Sequence, residues 1–128
     1  MMNIERVKSD LIMDDLYFPE CWVKRSPNIV SENLDVDIDK HIECIGGSKY
    51  EVTVNVSITK PSKDLNVYVV AKATFSYDNS DSKLVEQVIG ANTVAIMFPF
   101  IRSQISLMTT QPDMPPVVLP PINTMKLK

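Results

Sequence analysis

The sequence predicts an α+β domain in which a four-stranded antiparallel sheet is followed by a long Pro-kinked helix. Three segments between residues 34 and 77 alternate apolar and polar residues with a period of two, as half-buried antiparallel strands do. After Asp78 the apolar residues recur at spacings of three, four and seven, which is typical of one helical face. At 128 residues the chain is expected to form a single domain over 1–128.

Each alternating segment places an apolar row on one face of the predicted sheet. The rows are Leu34, Val36, Ile38, Ile42 and Cys44; Tyr50, Val52, Val54, Val56 and Ile58; and Leu65, Val67, Val69, Ala71, Ala73, Phe75 and Tyr77. Residues 46–48, Gly-Gly-Ser, predict a tight hairpin, and residues 60–64 connect the next pair of strands. An earlier strand is expected over 12–18. Its predicted inward residues are Ile12, Leu16 and Phe18.

The predicted helix covers about 82–110 and contains Pro99, which would cost ~3 kcal/mol unless the helix bends there. Plausible N-caps precede it: Asn79, Ser80 and Asp81. Residues 94–101 carry no polar side chain, so this part of the helix is apolar on every side and one sheet cannot cover it. We therefore expect a tetramer, or at least a dimer, with helix residues buried between sheets or protomers. The expected interface residues are Val94, Met97, Phe98, Ile101, Ile105 and Met108.

A proline-rich tail follows the predicted helix. Residues 111–123 read QPDMPPVVLPPIN, with five prolines in thirteen residues. This composition predicts a stiff, extended surface segment. Its apolar residues are interpreted either as anchors onto the body of the protein or as a binding surface.

Composition excludes several classes of function. A net charge of −3 without a basic cluster argues against nucleic acid. Cys21 and Cys44 cannot form a disulfide framework and are typical of reduced thiols in a cytosolic protein. The first ten residues carry charges where a signal peptide needs an apolar core. The eight-residue apolar run is shorter than the ~20 residues needed to cross a bilayer. We expect a cytoplasmic location and no membrane insertion.

No catalytic or metal site is predicted. His41 and Cys44, three residues apart in a strand, face opposite ways, and one histidine with two cysteines cannot complete a tetrahedral site. Nothing in the sequence orients a Cys–His pair for catalysis. The row Asp35, Asp37 and Asp39 is interpreted as the solvated face of a strand. We expect no cofactor.

The helix and tail resemble the SecB family of protein-export chaperones. The helix sequence, IGANTVAIMFPFIRSQISLM, follows the family's loose pattern L-G-A-x-x-x-x-I-L-F-P-Y-A-R-x-x-I-x-x-M, and the tail follows a P-x-L-x-L-A-P-V-N-F segment. The matching residues are Gly90, Ala91, Ile96, Phe98, Pro99, Arg102, Ile105, Met108, Pro115, Leu119, Pro121 and Asn123. The match runs without a gap from Val88 to Leu127.

The resemblance implies a dimer of dimers that binds unfolded polypeptides in exposed apolar grooves and passes secretory precursors to the motor SecA. We hypothesise that the crossover loop and the tail line a client groove in each protomer, because these two segments offer apolar residues outside regular structure. The expected client-binding residues are Trp22, Val23, Ile29 and Val30 in the loop, and Val117, Val118, Leu119 and Ile122 in the tail. Some relatives instead guard the antitoxin of a toxin–antitoxin system, which would make an antitoxin the partner.

Docking to SecA is expected to be weak or absent. The family's second helix and acidic tail should follow the P-V-N segment, whereas this sequence ends at Lys128. Asp15 matches one acidic docking position on the first strand. Pro19 and Tyr68 stand where other acidic groups are expected.

Two alternatives from other classes remain. A hot-dog-like thioesterase also wraps an antiparallel sheet round a long helix, but it needs a catalytic polar group on or beside that helix, and this helix has no Asp, Glu or His after Glu86. A structural or regulatory subunit with a single partner is the other.

Overall fold

A computed structural model describes residues 11–27 and 33–120 of the chain. It contains one sheet of four antiparallel strands in the order β1-β4-β3-β2, followed by one long helix. The elements are β1 (Ile12–Arg25), β2 (Asp35–Gly46), β3 (Lys49–Thr59), β4 (Leu65–Ser76) and α1 (Ser82–Thr109). The predicted α+β fold class, a four-stranded antiparallel sheet followed by one long helix, is confirmed.

The two central strands, β3 and β4, carry the core. Their alternating rows were predicted from the period of two, and every member of these rows is buried except Tyr50, which is half-buried. α1 lies over this face of the sheet, which we call the inner face; the opposite face, with the polar alternates, is the outer face. The apolar rows of β3 and β4 therefore predict the face of the sheet on which α1 packs.

β1 is longer and less regular than predicted. It extends to Arg25, so Trp22 and Val23 lie in a strand paired with β4 and not in a crossover loop. Two register shifts interrupt the pairing, one between Met13 and Asp15 and one between Tyr17 and Glu20. Because the first shift reverses the facing of the residues before it, Met13 packs on the core and Ile12 is 52% exposed. The inward placement of Ile12 was wrong; Leu16 and Phe18 do pack on the core.

β2 forms one edge of the sheet. Its apolar row shares the inner face with its β3 partners, since directly opposite residues point the same way. α1 leaves this row largely uncovered: Val36 and Cys44 are exposed, and Ile38 and Ile42 are only partly buried. The row was predicted as the apolar face of a half-buried strand, and the structure leaves much of this face exposed to solvent.

The connections follow the predicted turns. Gly46 and Gly47 adopt positive φ values of 127° and 56°, which side-chain-bearing residues rarely adopt. In the β3–β4 connection, Lys60 and Asp64 form a buried ion pair at 3.1 Å. The carbonyl of Asp64 also accepts a hydrogen bond from Ser26 N at 2.8 Å, which holds the end of β1.

α1 begins after Asp81, whose carboxylate accepts hydrogen bonds from Lys83 N and Leu84 N as an N-cap. The helix continues unbroken through Pro99, which is exposed. Its 28 residues span roughly 42 Å at ~1.5 Å per residue.

The residues expected to meet another protomer lie instead in the core of a single chain. Five of the six are buried against the chain's own sheet and tail: Val94, Met97, Phe98, Ile101 and Ile105. Met108 is partly buried against the same core. The eight-residue apolar run does have an uncovered side, but other residues form it. The assignment of these side chains to an oligomer interface is therefore corrected.

After α1 the chain turns back along the helix. Met114 N donates to Gln111 O at 3.2 Å in a tight turn, and the segment that follows lies against the C-terminal half of α1. Val117 and Leu119 are buried there, and Val118 is exposed. Val117 and Leu119 are therefore anchors of the tail onto the body of the protein, which was one of the two interpretations of its apolar residues.

Candidate functional site

Trp22 and the buried residues of the tail, which were expected to line one client groove, lie on different sides of the sheet. Trp22 pairs with Tyr68, which points away from the buried neighbours Val67 and Val69 and therefore lies on the outer face. The tail lies against α1, on the inner side of the sheet. Within one chain, Trp22 and the buried tail residues therefore do not line a common groove, although Arg25 at the end of β1 donates hydrogen bonds to Gln111 Oε1 at 3.4 Å and to Pro112 O at 3.2 Å.

Trp22 is held by its own neighbours. Its ring lies 5.6 Å from that of Tyr68, between centroids, and its Nε1 donates to Glu20 Oε2 at 3.1 Å. Lys24 Nζ lies 5.1 Å from the ring centroid, within the range of a cation–π contact. The indole is thus part of an ordered cluster on the outer face.

The other predicted client-binding residues differ in how far they are exposed to solvent. Val23 faces inward and is partly buried against the core. Leu119 is 1% exposed and Val117 is buried, whereas Val118 is 66% exposed. Ile29, Val30 and Ile122 lie outside the described residues. Val118 is therefore the one tail residue of the predicted set that the structure leaves on the surface.

A groove at the β2 edge offers the open apolar surface that the tail does not. It lies between the inner face of β2 and the N-terminal half of α1, and we call it the β2–α1 groove. One compartment of about 360 Å³ is lined by Ile42, Cys44, Tyr50, Ser82, Val85, Glu86, Ile89 and Gly90. A second of about 630 Å³ is lined by Lys40, Glu86, Gln87, Val88, Gly90, Ala91 and Asn92.

Lys40 and Gly90 connect the two walls of this groove. Lys40 Nζ donates to the carbonyl oxygen of Gly90 at 2.7 Å. A glycine within a helix is unfavourable by roughly 1 kcal/mol, yet a Cβ at position 90 would meet nothing within 4 Å. Within the chain, packing therefore gives no reason for Gly90. Its bare backbone leaves the carbonyl accessible from the groove.

The groove borders an unpaired strand edge. Among the described strands, β2 pairs only with β3, so its other edge presents backbone N–H and C=O groups over twelve residues. An extended peptide recognises such an edge through its own backbone, and apolar pockets beside the edge select alternate side chains. The edge and the groove together can bind a polypeptide without reading a particular sequence.

The side of α1 turned away from the sheet is also apolar. Phe100 is 49% and Leu107 71% exposed, and no charged residue lies between Glu86 and Arg102. By length and composition α1 could cross a membrane, the only such helix in the described part of the chain. This is weak evidence of a span, because a core helix has the same properties and α1 packs its other side on the sheet.

The outer face is polar and acidic at the β2 edge. Asp35, Asp37, Asp39 and Glu43 are exposed along β2, and Asp15 lies on the same face of β1, opposite Thr74. One oxygen of Asp15 already accepts a hydrogen bond from Thr74 N at 2.9 Å. No group of three or more His, Cys, Asp or Glu side chains suited to a metal occurs within residues 11–27 and 33–120.

Comparison with known proteins places the chain in a family. The family model described as "Preprotein translocase subunit SecB" matches residues 9–127. This chain belongs to the SecB family. Protein-export protein SecB of Methylobacillus flagellatus is 30% identical over 125 residues, which cover 94% of this chain and 77% of that protein. The SecB of Chromobacterium violaceum is 29% identical over 108 residues, covering 79% and 72% respectively.

A solved structure has the same fold. The Mycobacterium tuberculosis Rv1957 SecB-like chaperone, in complex with a ChAD peptide from the Rv1956 HigA1 antitoxin, superposes with a TM-score of 0.69. It covers 91% of this chain and 90% of its own, at 12% sequence identity. The resemblance noted from the helix and tail is confirmed. The family is a family of chaperones linked to protein export and is not a family of enzymes.

Sequence reasoning missed the β2–α1 groove, although one signal was present. Lys40 interrupts an otherwise apolar row between Ile38 and Ile42. A lysine in such a row is unlikely to be fully buried, so it marks a place where the inner face opens to solvent. The three helix residues that hold the tail, Arg102, Ser106 and Thr109, were also missed as a group.

Proposed function

We propose that this SecB family member is a cytoplasmic holdase that binds unfolded polypeptides in the β2–α1 groove. The observation that supports it most directly is the uncovered apolar row of β2, which lies beside an unpaired strand edge. Clients of this family are unfolded chains, and such chains carry both an extended backbone and scattered apolar side chains. The unpaired edge of β2 can bond to the client's extended backbone, and the apolar lining of the groove can contact its side chains.

The test compares the two faces of β2. Ile42→Ser removes apolar surface from the groove and Val36→Ser removes it from the same apolar row of β2, whereas Asp37→Ser and His41→Ser change residues on the outer face of the same strand. Partial loss of one apolar contact is worth ~1 kcal/mol, so each groove variant should bind a denatured client roughly 3–10-fold more weakly. The assay is suppression of aggregation after dilution from denaturant. Equal activity of all four variants would contradict the assignment.

We propose a homotetramer, or at least a dimer, that buries the outward side of α1. Ala95, Phe100 and Leu107 are exposed on that side, and burying a large apolar side chain is worth ~1.5–3 kcal/mol. Phe100→Glu should dissociate the assembly in analytical ultracentrifugation. Gln87→Glu adds the same charge elsewhere on the helix and should leave it intact. A parent protein that sediments as a 14.4 kDa monomer at micromolar concentration would refute the proposal.

Binding to SecA is proposed to be weak or absent. Asp15 is the one acidic residue assigned to docking, and its carboxylate is engaged with Thr74 N. Titration of the protein into SecA in a calorimeter should give no saturable heat at micromolar concentrations. Tight binding that Asp15→Asn abolishes would show that the docking face is intact.

Clients of two kinds are distinguishable by experiment. The curated relatives are named for protein export, while the structural relative is bound to a peptide from an antitoxin. We propose export precursors as the main clients, because the export relatives have the higher sequence identity. Mass spectrometry of polypeptides that co-purify with the protein decides between them. A single antitoxin instead of many precursors would favour the alternative.

We also propose that the chain has no catalytic activity. α1 carries no Asp, Glu or His after Glu86, so it lacks the group that a hot-dog-like thioesterase uses for acid–base catalysis. Turnover of any member of an acyl-CoA panel by the purified protein would overturn this proposal.

A further inference from the structure

The described part of the tail, residues 111–120, is held on α1 through its backbone. Thr109 Oγ1 accepts a hydrogen bond from Val117 N at 2.7 Å. Ser106 Oγ donates to Val117 O at 3.0 Å, and Arg102 Nε donates to Leu119 O at 2.9 Å. We call the three helix side chains Arg102, Ser106 and Thr109 the backbone clamp.

The backbone clamp pairs with the tail in the way that a neighbouring strand would. Its members are spaced four and three residues apart, so they lie along one side of the helix. In an extended chain the N–H and C=O of one residue point to the same side, and those of the residue two positions later point there again. Val117 and Leu119 are such a pair. Side chains of a helix thus take the place of a sheet edge.

The orientation of Thr109, one member of the clamp, is fixed by the helix itself. The Thr109 hydroxyl donates to Ile105 O at 2.8 Å and is buried. This bond to the carbonyl four residues earlier sets the rotamer and leaves an oxygen lone pair directed at the tail. The Thr109 acceptor therefore does not depend on the tail for its geometry.

The clamp makes little use of side-chain identity in its ligand. Residues 115–120 of the tail, PPVVLP, contain no polar side chain. Val117 and Leu119 are buried and Val118 between them is exposed, so the contact requires only an extended backbone with apolar residues two positions apart. An open depression of about 330 Å³ adjoins it, lined by Pro99, Arg102, Ser103, Ser106 and Val118. An incoming chain can approach the clamp there.

We propose that the backbone clamp is a second binding site for unfolded polypeptide, that the protein's own tail occupies it in the free state, and that an extended apolar client segment takes the tail's place. This proposal rests on the proposed holdase function. A tethered tail competes at an effective concentration in the millimolar range. A client already held in the β2–α1 groove gains a similar advantage, so the clamp favours clients long enough to reach both sites.

Hydrogen exchange on the unaltered protein tests the exchange of tail for client. The Val117 amide is protected by Thr109 while the tail is docked. Saturation with a reduced and carboxymethylated, permanently unfolded client should accelerate exchange of this amide at least 10-fold. Amides of the buried part of α1 serve as the internal reference. Unchanged or slower exchange at Val117 under saturating client overturns the proposal.

A peptide pair tests the chemistry of the clamp separately. The probe is the labelled nonapeptide PDMPPVVLP, which is residues 112–120, and its control is the same peptide N-methylated at the first valine. Leu119→Ala removes a buried anchor of the tail, whereas Val118→Ala changes an exposed residue beside it. Leu119→Ala should bind the probe at least 10-fold more tightly than Val118→Ala does, and N-methylation should weaken that binding at least 10-fold.

Equal binding of the two peptides, or by the two variants, overturns the clamp as a peptide site. If Leu119→Ala does not fold, the exchange experiment on the parent decides alone. A parent that fails to suppress client aggregation overturns the holdase function and the client role of the clamp together. A parent that holds clients while Val117 stays protected overturns only the clamp.

Discussion

At the scale of single residues, Asp14 is the centre of a small polar cluster at the first bulge of β1. Ser76 Oγ donates to its carboxylate, and Lys49 Nζ donates to the same oxygen at 3.1 Å. The hydrogen bond from Ser76, and then that from Lys49, lowers the pKa of the Asp14 carboxyl from its ordinary value of 3.8. Both bonds favour the ionised form.

Ser76→Ala is expected to raise the pKa of Asp14 towards 3.8, and Lys49→Met should raise it less. Because the folded-state pKa of Asp14 lies below the unfolded value, its contribution to stability is present above the unfolded pKa and is lost as the pH falls through the folded one. Carbon-detected NMR titration of the carboxyl group measures the shift. A Ser76→Ala protein with the parent's titration midpoint would show that the hydrogen bond is not the cause.

Asp15 is expected to stabilise the fold, and a docking experiment must separate this effect from an effect on SecA binding. The bulge between Met13 and Asp15 changes the local pairing, and the carboxylate of Asp15 accepts a hydrogen bond from Thr74 N. Asp15→Ala should lower the free energy of unfolding by about 1 kcal/mol. Asp15→Asn keeps an acceptor oxygen and should lose less than half as much. Urea unfolding measures both, and equal losses would refute this role.

At the scale of elements, Pro99 is expected to lower the stability of α1, and a substitution can measure by how much. Proline lacks the N–H that would bond to the carbonyl of Ala95, and inside a helix it costs up to ~3 kcal/mol. Pro99→Ala is expected to raise the free energy of unfolding by about 1–3 kcal/mol. Ser103→Ala, one turn later on the exposed side, is the control. A less stable Pro99→Ala protein would mean that the ring makes contacts that outweigh the lost hydrogen bond.

The regular elements were predictable because their periods are set by backbone geometry. The rows of β3 and β4 and the span of α1 follow from periods of two and 3.6. The facing of Ile12 was not predictable, because a bulge adds one residue and reverses the alternation without a mark in the hydrophobic pattern. The exposure of β2 was not predictable either, since it depends on how far α1 extends across the sheet.

At the scale of the whole molecule, the family could be predicted but the site could not. The helix motif around Pro99 and Arg102 identified the SecB family from sequence alone. The position of Trp22 relative to Leu119 depends on the register between β1 and β4. This register places Trp22 on the outer face of the sheet, whereas Leu119 is buried on the inner side. Likewise, an apolar helix run predicts burial, but only the packed chain shows which side is already covered.

The central claim is that clients lie in the β2–α1 groove, and a native cysteine allows a direct test. Cys44 is exposed and lines the groove, while Thr53 lies on the outer face of β3. In a Cys21→Ser background, a photo-crosslinker is attached at Cys44, or at position 53 in a Cys44→Ser, Thr53→Cys variant. Illumination with an unfolded client should give crosslinks from Cys44 at least fivefold above those from position 53. Equal yields, or a higher yield from position 53, would contradict the account.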